Sequence, residues 1–291
     1  MIRAATAAAC RERLPTGVAH SPRQLRRRVA HLAAELALRR WLDEQGLPYD
    51  LRLETPLTAP DHPHLFLGGR RVDIHIILIR STRAIQALRS HPHGLLAWSL
   101  PGPAPTPAGL APTPHDLIVF GILIGNLAPG LRQARIACDA GLPCALVASL
   151  PEWILSRLTG HSAIHLHYLG SRTLELDLVA WRGGKPSTHH VLLPPGDTTA
   201  LPPGAGGIAW LHTTQLPDGP IELSCPFGPH WRLTPARWNN LWIYAAEILL
   251  AGWRTRQEVE ALLRRDLAGR HPTRLADLRP LADWLTRLCQ G

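Results

Sequence analysis

Residues 64–79, HLFLGGRRVDIHIILI, leave few folds open. Two extended apolar runs meet at Gly68-Gly69, and a Gly-Gly pair in that position predicts a β-hairpin. Side chains alternate across a strand, so Arg71, Asp73 and His75 share one face, and Val72, Ile74 and Ile76 share the other. An aspartate inside so apolar a strand is costly unless it is ligated or hydrogen-bonded.

Helical and extended patterns alternate around this hairpin. Ser21-Pro22 supplies a cap and a first helical residue; Leu25, Val29, Leu32, Leu36 and Leu42 keep helical spacing until Gly46. A strand is expected over 49–57, a short helix capped by Ser81 over 81–89, and a strand over 94–100. The Pro-rich stretch 101–114 reads as a spacer. Then follow a strand through LIVFGILI, a helix near 130–141 and a strand over 143–150. Between 151 and 233 the pattern is strand and turn. From 234 it reads as helix, first over 235–252 behind Thr234, with Trp238 and Trp242 one turn apart and Gly252 as the stop. The expected class is α/β. It has an N-terminal domain over 1–150 and an accessory region over 151–291, β-rich over 151–233 and helical over 234–291.

Composition narrows the function classes. Five cysteines, at 10, 138, 144, 225 and 289, are odd in number and form no CxxC pair, which argues against a disulfide framework or a cysteine zinc site. No apolar run reaches the ~18 residues that span a bilayer, and the N-terminus lacks an apolar leader segment, so a cytoplasmic location is expected. HExxH, GxSxG, GxxxxGK[ST] and a GxGxxG after a strand are all missing, which removes zincins, α/β-hydrolases and the common nucleotide sites. His62 and His64, or His161, His165 and His167, offer imidazoles that could ligate a metal. The formal charge is +9, and Lys185 is the one lysine among 31 cations. A basic, arginine-dominated chain attracts polyanions, because guanidinium forks grip phosphate in pairs of hydrogen bonds.

Pro60-Asp61 ahead of Asp73-Ile74-His75, in the order helix, meander, helix, strand, resembles the PD-(D/E)XK or restriction-endonuclease-like nuclease superfamily over roughly residues 22–150. The resemblance implies a restriction-endonuclease-like core in which Asp61 and Asp73 hold Mg²⁺ or Mn²⁺. It implies that Glu35 on the first helix assists, and that the slot of the water-positioning lysine falls to His75. A histidine there could serve as a base near neutral pH. A second registration makes Asp73 itself the first aspartate, without an acidic-lysine pair to follow. On its own, Asp73 could equally cap or pair with a nearby arginine.

Arg26, Arg27, Arg28 and Arg71 are the expected phosphate contacts. The expected function is a metal-dependent DNA endonuclease, with DNA preferred over RNA as partner. The alternative is a non-catalytic nucleic-acid- or protein-binding accessory subunit of a mobile-element or defence system, on a degenerate nuclease fold. A protein partner or a homodimer fits either, and no membrane is expected.

Overall fold

The computed structural model describes residues 1–11, 21–52, 64–91, 113–151, 164–182, 185–201, 208–225, 230–267 and 274–283. The chain is mixed α/β and divides into two compact units that are discontinuous in sequence. One is built from Ala30–Asn126 and Ala245–Gly291 (with Met1), the other from Ile2–Val29 and Leu127–Tyr244. Neither unit coincides with residues 1–150 or 151–291.

Helix α2 (Pro22–Glu44) starts as its sequence dictates. Ser21 N–H donates to Gln24 Oε1 at 2.8 Å and Gln24 N–H returns to Ser21 Oγ at 3.3 Å, a reciprocal cap that satisfies two end groups. At the other end Leu47 N–H reaches back to Leu42 O at 3.0 Å, closing the last turn.

In the first unit, β1 (Asp50–Arg52), β2 (His64–Leu67) and β3 (Arg70–Ile79) form an antiparallel meander. Leu67 pairs with Arg70, so the β2–β3 loop is only Gly68-Gly69, with φ of 56° and 74°. Two left-handed residues in succession are what a tight hairpin turn needs and what a side chain would penalise. Helix α3 (Thr82–Ser90), with Ser81 Oγ accepting from Ala84 N–H, then carries the chain to β4 (Leu117–Leu127), which runs parallel to β3. The sheet order is β1-β2-β3-β4-β14, with β14 spanning Ile243–Thr255.

Both faces of this sheet are covered. Ala34, Leu38 and Leu42 of α2 pack on Val72, Ile74, Leu117 and Val119. On the opposite face Ile79, Ile122 and Ile124 meet Ile85, Leu88 and Leu275, and Ile118 and Phe120 meet Val259 of α5 (Arg256–Leu267). The expected alternation of β3 is thus realised, with Asp73 and His75 on the α5 side.

The fifth strand corrects an expectation. Residues 235–252 are not a helix: a single helical turn, Pro235–Arg237, precedes β13 (Asn239–Asn240) and the long strand β14 (Ile243–Thr255). Trp238 is buried among the strands of the second unit, while Ile248 and Leu250 pack on the α2 side of the first. Exposure alternates residue by residue from Ala245 to Leu250. An open place beside β4 selects the extended state over the helical propensity of Ala, Glu and Leu. Gly252 lies within this strand and stops nothing. Helix resumes at α5.

The second unit is a pair of sheets with the orders β13-β5-β10-β7-β8 and β12-β11-β6-β9. The first contains β5 (Leu146–Ser149), β7 (Leu174–Arg182), β8 (Lys185–Leu193) and β10 (Ile208–Thr213). The second contains β6 (His165–Tyr168), β9 (Thr198–Ala200), β11 (Ile221–Ser224) and β12 (His230–Leu233). In β7 the residues Leu174, Leu176, Leu178 and Ala180 point into the shared core, together with Leu166, Tyr168, Leu223 and Trp231. Helix α4 (Leu131–Asp139) adds Leu131 and Ala134 to it. The alternate residues of the larger sheet face α1 (Ile2–Arg11), where Cys10, Val147, Val179 and Trp210 form a smaller cluster with Leu25.

Candidate functional site

The acidic residue of β3 is occupied. Asp73 Oδ1 accepts from Arg71 Nε at 3.1 Å, and its Oδ2 accepts from Arg256 Nη2. Both arginine side chains are only 7% exposed. Arg71 reaches Asp73 because residues two apart share a strand face. Arg256 arrives as the first residue of α5, whose start is tied down by Arg256 N–H to Asp116 O (2.8 Å) and Gln257 N–H to Pro114 O (3.1 Å). Its Nε lies 3.9 Å from Asp116 Oδ2 and makes no hydrogen bond. Asp116 in turn is held by Thr113 N–H and Oγ1. Two buried arginines and two aspartates so form a nearly neutral cluster at the sheet's α5 face.

His75 lies two residues along the same face, its ring tilted against Phe120 with centroids 5.6 Å apart. Burial lowers its pKa; the Asp73 carboxylate opposes this and the Arg256 guanidinium adds to it. The ring is therefore kept neutral at physiological pH, as a proton acceptor must be.

The other expected residues are placed as follows. Glu35 is buried on α2 and accepts from Arg39 one turn on. Asp61, Pro60 and His62 lie outside the described residues, as does His161, and the same holds for the His64 side chain. Arg26 donates to the backbone oxygen of Asn240 at 3.1 Å, which makes it part of the framework. Arg27 is exposed, Arg28 half-buried, and Arg71 is buried and paired with Asp73. His165 and His167 do share a face of β6, and His167 Nδ1 is engaged by Thr198 Oγ1 and Asp197 O. Among the described residues no group of three or more His, Cys, Asp or Glu is disposed to hold a metal ion, and Glu35, Asp73 and His75 do not make one. No described helix is long and apolar enough to cross a membrane.

A second constellation has no counterpart in the sequence reading. His212, Asp177 and His190 are direct cross-strand neighbours on β10, β7 and β8. Asp177 Oδ2 is 3.4 Å from His212 Nδ1, and its Oδ1 is 3.0 Å from His190 Nδ1. The period-two pattern of LELDLVAW puts Asp177 outside the sandwich core, which is legible, whereas the strand register that aligns it with two histidines is not.

Burial alone would lower the His212 pKa, but its hydrogen bond with Asp177 and then the neighbouring Cys10 side chain outweigh burial and push it up to about 9. A histidine whose pKa is raised on folding stabilises the fold fully only where it is protonated in both the folded and the unfolded state. Its contribution is therefore complete below about pH 6.5 and is lost as pH rises through about 9. Urea titrations between these limits should show falling stability, and His212→Gln should flatten that dependence. An unchanged slope in the variant would assign it elsewhere.

Comparison with protein-family models, with curated proteins and with solved structures returned no match.

Proposed function

We propose that this chain is a nucleic-acid-binding protein without nuclease activity, in which the acidic site of a nuclease-like sheet has become a structural ion-pair cluster. One observation carries this reading: both carboxylate oxygens of Asp73 are taken by buried guanidiniums, from Arg71 and Arg256. A divalent ion at Asp73 would have to displace one guanidinium and then sit beside two cations in a poorly hydrated site. The arginine excess of the chain supplies the attraction to a polyanion, and exposed Arg23 and Arg27, one helical turn apart on α2, supply phosphate contacts.

A second reading, a Mg²⁺- or Mn²⁺-dependent endonuclease, is favoured by the order of elements in the first unit. Helix, antiparallel meander, helix and parallel strand follow one another as in the restriction-endonuclease-like superfamily, and His75 is held neutral beside Asp73. In that reading Asp61 and Asp73 hold the ion and Glu35 assists.

Supercoiled plasmid separates the two. With Mg²⁺ or Mn²⁺ present, the binding protein leaves the plasmid intact but retards it in a gel, and retention falls steeply as salt rises from 50 to 200 mM, by roughly tenfold or more. Nicking that stops with EDTA and in Asp73→Asn would replace this reading by the nuclease. Neither retention nor nicking would remove nucleic acid as the partner.

A further inference from the structure

The geometry points to a nucleophilic cysteine site in the second unit, made of Cys10, His212 and Asp177, that takes small electrophilic acyl groups as thioesters. A cavity of about 90 Å³ between α1 and the larger sheet is lined by Ala7, Cys10, Asp177, Val179, Thr188 and His212. Three of these six are the residue types that cysteine acyl transfer uses, in the order that it requires. Asp177 takes the Nδ1 edge of His212 and fixes the ring. Nε2 is then the ring nitrogen left for the thiol, and it is buried and makes no hydrogen bond of its own. A buried imidazole nitrogen without a partner is an unexplained cost in a folded protein, and one that a reacting group in the cavity would relieve.

The ring is flanked from two elements. From α1 the ring faces Cys10; from β7 it faces Asp177, which His190 of β8 braces from the far side. His212 Nε2 is placed to take the Cys10 thiol proton as the sulfur attacks. In the forward step the Cys10 sulfur bonds to the carbonyl carbon of an ester, the acyl–oxygen bond breaks, and the departing oxygen takes a proton from His212 Nε2. Hydrolysis reverses the roles: His212 accepts a proton from water, water oxygen bonds to the acyl carbon, and the sulfur leaves with the carboxylic acid as product. Thr188 is the one hydroxyl-bearing residue of the lining and is the donor available to the carbonyl oxygen. The cavity has room for a short acyl chain and none for a polymer.

The test uses the intact protein and p-nitrophenyl acetate, with acetylation located by peptide mass spectrometry and p-nitrophenol release followed optically. Cys10 is nearly inaccessible, whereas Cys138 on α4 is half-buried, so among the described cysteines exposure alone would favour Cys138. The site requires the opposite: Cys10 acetylated first, and about 10²-fold more slowly in His212→Gln, as loss of a positioned acid–base group entails. Acetylation of Cys138 ahead of Cys10 in the unaltered protein would overturn the proposal, whether or not His212→Gln folds. An undiminished Cys10 rate in a folded His212→Gln protein would overturn it as well.

Discussion

Replacing Asp73 by alanine lowers the unfolding free energy by about 3 kcal/mol, the lower end of what removing one partner of a buried ion pair costs. The lower end applies because the Asp73 side chain is itself 20% exposed, so solvent relieves part of the imbalance. What is left behind decides the size of the effect. Arg256 is 7% exposed, its Nε already makes no hydrogen bond, and its remaining acidic neighbour, Asp116, is at 3.9 Å. Asparagine at position 73 keeps two acceptor lone pairs and should lose less. The three-residue change Asp73→Leu, Arg71→Met, Arg256→Met should recover most of the loss, since an apolar filling needs no charge balance. Urea unfolding of the four proteins measures this. A loss below about 1 kcal/mol for Asp73→Ala, the range of exposed pairs, would mean that the cluster is hydrated and open to a metal after all.

Gly252→Ala is the second large effect, with an expected loss of about 3 kcal/mol, combining backbone strain with overpacking. As the residue after a helix, Gly252 would tolerate alanine at a modest cost. In the observed strand it has φ of 153°, and an added Cβ would stand 2.5 Å from the Arg279 backbone oxygen and 2.8 Å from Leu278 Cβ. The neighbouring ladder leaves little slack: Trp253 N–H donates to Arg279 O at 3.0 Å, Arg279 N–H donates back at 3.2 Å, and Trp253 Nε1 donates to Pro280 O at 3.1 Å. Thermal or urea unfolding of Gly252→Ala reads the outcome. A change of only a few tenths of a kcal/mol would show that the 274–283 segment is not seated against this strand.

Local rules carried the sequence reading as far as local rules reach. Ser21, the Gly68-Gly69 turn, Ser81 and the two faces of β3 all follow from capping, turn chemistry and period-two alternation, which act within a few residues. β14 escaped because Ala245, Ala246, Glu247 and Leu249 favour helix on their own, and only the vacant place beside β4, more than a hundred residues earlier, decides otherwise. The candidate sites failed to show for the same reason. Arg71 beside Asp73 is a matter of strand geometry, but Arg256 comes from 183 residues away. The row His212, Asp177, His190 and its approach to Cys10 depend on register and on a helix from the other end of the unit.

The interleaving of the two units also sets an order of events during synthesis. Residues 30–126 leave the ribosome with β4 lacking its outer neighbour and with Asp73 lacking Arg256, and they remain so while the whole of 127–244 is made. Until 245–291 emerges, an unpaired strand edge and the apolar residues Ile118 and Phe120 stand uncovered. A nascent chain stalled at residue 244 is thus the form of this protein most in need of a chaperone.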